Sequence, residues 1–211
     1  EIKSVFSHFT SSGLPELDSF THRQAGIFQQ CSDILEENVG AGFLRHICNT
    51  SAIRRFPEYH FDMVRLGIGL YGIPTTAEEK EQLENVSTLK STISQIKTIP
   101  AGETIGYNRQ WKADRDMQIA VIPVGYADGL NRKLSNGAGC VYIHGKPAPI
   151  IGNVCMDIIM INVTHIDCKE GDEVIIFGGP QNVPEFSAKG GTVSYELITG
   201  ISQRVKRIII Q

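Results

Sequence analysis

Near residue 80 the chain changes texture, and that change restricts its fold more than any other feature of the 211 residues. Ahead of it, a β-branched and aromatic run at 2–9 is broken by Thr10-Ser11-Ser12-Gly13. Pro15 stands where a helix start tolerates proline. Leu17, Phe20, Gln24, Ile27, Phe28, Cys31, Ile34 and Leu35 then follow a mostly apolar helical stripe. Gly40 and Gly42 interrupt, Phe43 to Cys48 reads as a second strand, and Asn49-Thr50-Ser51 offers N-cap chemistry for a short helix. A third strand is expected from Phe61 through Gly72. Strand, helix, strand, short helix, strand is the alternation of a parallel α/β unit.

Beyond the change the pattern is different. Short apolar or alternating runs appear at 91–99, 117–124, 140–143, 147–151, 158–163, 173–177 and 203–210, parted by glycine-rich turns. One helix is expected near Thr192–Thr199, capped by Thr192 and ended by Gly200. This is the signature of a mostly antiparallel β domain. The charged stretch from Ala77 to Asn85 reads as a solvated connector, which sets the expected division at 1–85 and 86–211. A complete (β/α)8 barrel takes about 250 residues, so the first part can supply only a few of its units.

Composition excludes several function classes. A net charge of -3 with no basic run argues against nucleic acid or an anionic membrane surface, and no apolar stretch is long enough to span a bilayer. The five cysteines are widely spaced without a CxxC, which points to a reducing, cytoplasmic setting and away from disulfides or structural zinc. His22, His46, His60, His144 and His165 show no metal-ligand spacing and are read as structural or solvent-exposed. The chain opens on Glu1 in what reads as a strand under way, so it is expected to be the C-terminal part of a longer polypeptide.

Three blocks carry the chemistry: Pro100-Ala101-Gly102-Glu103-Thr104-Ile105-Gly106-Tyr107, Ile122-Pro123-Val124-Gly125-Tyr126-Ala127-Asp128-Gly129, and Ile150-Ile151-Gly152-Asn153-Val154-Cys155-Met156-Asp157. In this order and spacing they resemble the C-terminal domain of alanine racemases. Ser7-His8-Phe9, Asn49-Thr50-Ser51-Ala52 and Arg65-Leu66-Gly67-Ile68 resemble late strands of the same family's barrel. The resemblance implies the last units of a (β/α)8 barrel followed by a β-barrel-like domain. It also implies pyridoxal 5'-phosphate (PLP) as cofactor, L- and D-alanine as substrates, D-alanine supply for peptidoglycan, and a homodimer whose active sites are shared between subunits.

By the same resemblance Tyr107 is one of two bases, with Arg65 and His8 forming a hydrogen-bonded line to it. Arg65 also faces the pyridine nitrogen, Thr50, Gly67 and Ile68 hold the phosphate, and Tyr126 and Met156 line the substrate entrance and meet the carboxylate. Cys155 reads as a small packed hydrophobe, and Asp157 either holds its turn or serves the site. Two departures stand out: Asn108 where relatives often carry glycine, and Gln203 where some carry a tyrosine that contacts the phosphate. The family's PLP-binding lysine motif, Lys-Ala-Asn-Ala-Tyr-Gly, does not occur in this sequence, so the chain by itself is expected to be inactive. The competing readings are a broad-specificity amino-acid racemase, a PLP decarboxylase of similar plan, and a non-catalytic dimerisation module.

Overall fold

The computed structural model describes residues 2–76 and 82–210, in two compact units, Glu1–Val86 and Ser87–Gln211. Residues 77–81 of the expected connector lie outside the described residues.

In the first unit β1 (Ser4–Phe6) pairs in parallel with β2 (Leu44–His46), in register from Ser4↔Leu44 to Phe6↔His46. A parallel pair needs a crossover, and the 22-residue α1 (Asp18–Val39) supplies it. The buried face of α1 is Thr21, Ala25, Phe28 and Ser32, at spacings of four, three and four. This is not the expected stripe, since Phe20, Ile27 and Ile34 face outward. Small residues at 21, 25 and 32 let the helix seat closely, and Phe28 joins Phe9, Ile47, Cys48, Ala52 and Phe56 in one cluster. α2 (Thr50–Arg55) is capped by Asn49, whose side chain accepts from the N–H of Ala52 at 3.1 Å.

The third strand expected at 61–72 is not formed. The N–H of Asp62 reaches the carbonyl of Arg45 and that of Arg65 the carbonyl of Cys48, at 3.1 and 3.0 Å. These two donors are three residues apart, whereas a strand presents one face every second residue. The segment therefore follows β2 as an irregular extended chain and ends in a 3-10 turn at Ile68–Tyr71.

The second unit is built on β3 (Leu89–Thr92), β4 (Gln95–Ile99), a hairpin of β5 (Thr104–Ile105) and β6 (Trp111–Lys112), then β7 (Met117–Ile122), β8 (Cys140–Ile143), β9 (Lys146–Ile151), β10 (Ile159–Asn162) and β11 (Glu173–Phe177). Seven of these form an antiparallel sheet in the order β3-β11-β8-β9-β10-β7-β4. The end members β3 and β4 are consecutive in the chain. The expected run at 91–99 is thus two strands, with Ile93 and Ser94 as the pivot, their N–H groups donating to Asp172 and Val121 carbonyls at 2.9 Å each. One stretch supplies both end strands of the curled sheet. Val141, Ile143, Ile150, Ile159, Ile161 and Ile176 fill the interior, none of them measurably exposed.

Two helices follow. α3 (Val183–Lys189) is a second helix beside the one expected near Thr192–Thr199; proline suits its first turn and Asn182 caps the Glu185 N–H at 2.8 Å. α4 (Ser194–Gly200) starts without a side-chain cap: Val193 holds the cap position, Thr192 bonds the Glu196 carboxylate instead, and Gly200 is the last helical residue. The strand expected at 203–210 is absent among the described residues. Ile208, Ile209 and Ile210 are at least 74% exposed. An apolar run records strand propensity, but a strand also needs an edge to pair with, and this run pairs with no strand of the sheet among the described residues.

Candidate active site

In the first unit the site forms around Arg65. Its Nη1 donates to Nδ1 of His46 at 2.6 Å and to the His46 carbonyl at 3.2 Å. Its Nη2 donates to the Ser7 carbonyl at 2.6 Å, to Nδ1 of His8 at 3.1 Å and to the Ile47 carbonyl at 3.3 Å. Phe6 stacks on the His46 ring at 5.4 Å, and the guanidinium lies 5.5 Å from the centre of Phe6. The ends of β1 and β2 therefore grip both terminal nitrogens, and Nε–H takes no acceptor among the described residues.

A guanidinium only donates, so both histidines must accept through Nδ1 and carry their proton on Nε2. Burial, and then the Arg65 charge, lower the pKa of His46 and keep it neutral. Cys48, next to this cluster, has its thiol pushed up to about 11, chiefly by burial, and is inert as a nucleophile.

Thr50 opens α2 and is buried. Its hydroxyl oxygen accepts from the Gly67 N–H at 3.0 Å and more weakly from Gly69 at 3.5 Å, which leaves the hydroxyl proton free to donate. The N–H of Ile68 reaches no acceptor among the described residues, although its side chain is buried. A Cβ on Gly69 would approach Thr50 Cγ2 and Leu66 Cδ1 to 3.0 Å, so the backbone hugs the threonine. An O–H and an N–H that both lack acceptors suit a bound dianion. With the leftover Nε–H of Arg65, these are the donors of the first unit that could hold a cofactor carrying a phosphate and a ring nitrogen.

In the second unit the β5–β6 hairpin presents Tyr107, 71% exposed, with no hydrogen-bond partner for its hydroxyl among the described residues. Gly106, Asn108 and Arg109 all take positive φ, at 78°, 59° and 54°. Asn108 suits this conformation, since asparagine tolerates the left-handed region. The loop is pinned by Asn153, whose Nδ2 donates to the Tyr107 carbonyl at 3.1 Å. Beside Tyr107 a cleft of about 600 Å³ is lined by Cys155, Met156, Asp157, Ile158 and Met160.

Tyr126 is held against that cleft by its backbone. Its N–H donates to the Cys155 carbonyl at 2.9 Å, and the Ala127 N–H donates to the Met156 carbonyl at 3.0 Å. Asp128 Oδ2 accepts from the Gly125 N–H at 2.8 Å, while Oδ1 accepts from Nε of Arg204 at 2.7 Å. A second arm of Arg204, Nη2, bonds Asp157 Oδ1 at 2.7 Å. Burial drives the Asp128 carboxyl up, but the Arg204 bond, the Gly125 N–H and the Arg204 charge together hold it below its ordinary value. The same two carboxylates raise the pKa of Arg204. Burial raises that of Cys155, in keeping with a packed thiol.

Arg65, His8, Thr50, Gly67 and Ile68 thus gather in the first unit, and Tyr107, Tyr126 and Met156 gather in the second. Sequence reasoning read His46 as structural or solvent-exposed without its tie to Arg65, and passed over Asn153, Asp128 as a ligand of Arg204, and Arg204 itself. Gln203, one residue before Arg204, is exposed. Among the described residues no group of side chains could hold a metal ion, and no helix is long and apolar enough to cross a membrane.

Comparisons with known proteins bear on both units. Residues 1–75 match the family model described as "Alanine racemase, N-terminal domain" and residues 86–209 match "Alanine racemase, C-terminal domain". Alanine racemases of Clostridium tetani and Clostridium novyi are 38% and 40% identical over all of this chain, and each match spans 56% of the relative's length. The alanine racemase of Streptomyces lavendulae superposes with a TM-score of 0.92 at 30% identity, and that of Bartonella henselae, with covalently bound pyridoxal phosphate, at 0.89 and 32%. Both superpositions cover 100% of this chain and 57% of the solved one.

Proposed function

The chain belongs to the alanine racemase family, and from that premise we propose that it forms part of a cytoplasmic, PLP-dependent enzyme interconverting L- and D-alanine. The observation that carries this reading is the state of Arg65. Both terminal nitrogens are tied to β1, β2 and two histidines, and Nε–H alone remains to donate. An arginine held this way gives a hydrogen bond to a pyridine nitrogen without giving it a proton.

When bound, PLP supplies a sink for the electron pair left behind as the Cα–H bond of alanine breaks. The chain's own groups have separable tasks. The Thr50 hydroxyl and Ile68 N–H donate to the phosphate, and Met156 and Tyr126 orient the substrate at its carboxylate end. Tyr107, as phenolate, takes the Cα proton from L-alanine, and as phenol returns one to make L-alanine in the reverse direction. A free phenol titrates near pH 10, so it needs a donor to hold the anion at neutral pH. His8 is suited to that, because Arg65 occupies its Nδ1 and leaves Nε2–H free to donate, and in the dimer proposed below it would meet the phenolate of the other subunit's tyrosine. The second base, on the opposite face of the substrate, is the family's lysine, and we propose a homodimer in which Tyr107 serves the cofactor held by its partner.

Deuterium exchange tests the assignment. In the complete enzyme Tyr107→Phe should abolish wash-out of the Cα proton of L-alanine in D₂O while that of D-alanine continues. Equal loss for both enantiomers refutes one base per face.

A further inference from the structure

Resting on the racemase reading, we propose that Arg204 is a positioning residue for the substrate end of the site. It contacts neither cofactor nor substrate, and acts through the two loops that carry Tyr126 and Met156. Its two donors reach two carboxylates, Asp128 and Asp157, that are 29 positions apart in sequence, each at 2.7 Å. Asp128, itself buried, holds with its other oxygen the N–H of Gly125, the residue before Tyr126. Asp157 is the residue after Met156. The two loops are joined directly by the Tyr126 and Ala127 N–H bonds to the carbonyls of Cys155 and Met156. Hydrogen bonds therefore run in a closed ring from Arg204 through Asp128 and the 125–127 turn to Met156, and back through Asp157.

The third corner of the ring is itself braced. The Ser202 N–H donates to the Asp128 carbonyl at 3.1 Å, and Arg207 donates to the carbonyls of Ile201, Ser202 and Val205 at 2.6 to 2.8 Å. That matters because the Tyr126 and Met156 side chains are 42% and 53% exposed, so core packing does not fix them. Their placement follows from their backbones, and the ring sets those backbones. A planar fork with donors in fixed directions suits this task, whereas the single ammonium of a lysine does not hold two carboxylates in set geometry.

The test uses the complete enzyme and two readouts. Arg204→Met should raise KM for L-alanine about tenfold with kcat within about threefold, the pattern of lost binding common to ground and transition states. Arg204→Lys should fall between the two. Amide hydrogen exchange should speed up at Gly125, Tyr126 and Ala127 but not in β9 or β10. An unchanged KM in Arg204→Met, or faster exchange spread over the whole unit, overturns the inference. Should Arg204→Met fail to fold, Asp157→Ala decides by the same readouts, since Asp157 is exposed and its loss leaves the Arg204–Asp128 bond in place. No racemisation by the unmodified enzyme would instead remove the functional reading, and this inference with it.

Discussion

Gly125→Ala isolates the cost of a close backbone approach from the cost of an unusual dihedral. Gly125 has φ -150° and ψ -161°, an extended conformation open to alanine. A Cβ there would nonetheless lie 2.3 Å from the Met156 carbonyl oxygen and 2.4 Å from that of Cys155. To reach even the 3.0 Å below which real Cβ contacts essentially never fall, the two loops must part by about 0.7 Å (3.0 less 2.3). The Tyr126 and Ala127 bonds, now 2.9 and 3.0 Å, would then stretch beyond useful range. Two lost hydrogen bonds at about 1 kcal/mol each, with about 1–3 kcal/mol for overpacking, give a destabilisation of about 3–5 kcal/mol. Trp111, the one tryptophan of the chain, sits in β6 of this unit and can report a urea transition. With a slope of about 1–3 kcal/mol per molar, the midpoint should fall by at least about 1 M. Gly102→Ala is the control, with open space around it but φ at 87°, and it should cost only about 1–2 kcal/mol. If Gly125→Ala costs no more than Gly102→Ala, the close approach does not matter and the reasoning fails.

Three further outcomes are expected. Thr50→Val should weaken PLP retention about tenfold, roughly one hydrogen bond to a charged group, while Thr50→Ser stays near the parent; equilibrium dialysis measures both. The depressed pKa of buried His46 contributes stability that is complete above the ordinary histidine value of about 6.5 and is lost as pH falls below it toward the folded pKa. Melting temperature should therefore drop more steeply on acidification from pH 7 in the parent than in His46→Asn, which keeps an acceptor but does not titrate. Mixing a complete enzyme lacking its PLP lysine with one carrying Tyr107→Phe should restore about a quarter of parent activity, since about half the re-paired dimers are mixed and each holds one intact site. No recovery despite confirmed subunit exchange would place Tyr107 with its own subunit's cofactor.

What the sequence made legible was local. Asn49 as a cap, the antiparallel strands between 117 and 177, and the glycine turns around Tyr107 and Tyr126 all follow from patterns a few residues long. What it hid were contacts between distant residues: Arg204 lies 76 positions from Asp128 and 47 from Asp157. His46 looked like any alternate residue of a short strand, and only the meeting of β2 with the 62–65 segment gives it Arg65 as a partner. The apolar run at 203–210 misled for the opposite reason. Its residue types favour a strand, but pairing is a property of the whole sheet.

The stretch at 89–99 has a consequence in time as well as in space. On the ribosome, the partner of β3 has not been made until Glu173–Phe177 leaves the exit tunnel, because Lys90 pairs with Ile175, 85 positions later. β4 can meet β7 after a delay of some 20 residues, through pairs such as Lys97↔Ile119. The growing chain therefore waits with its first strand open, and waiting edges are where nascent chains join one another. Lys90 stands on that edge, a charge of the kind that discourages such pairing, and in the finished sheet its ammonium finds Glu173 at 3.1 Å. The same lysine thus protects the strand while it waits and ties it down once its partner arrives.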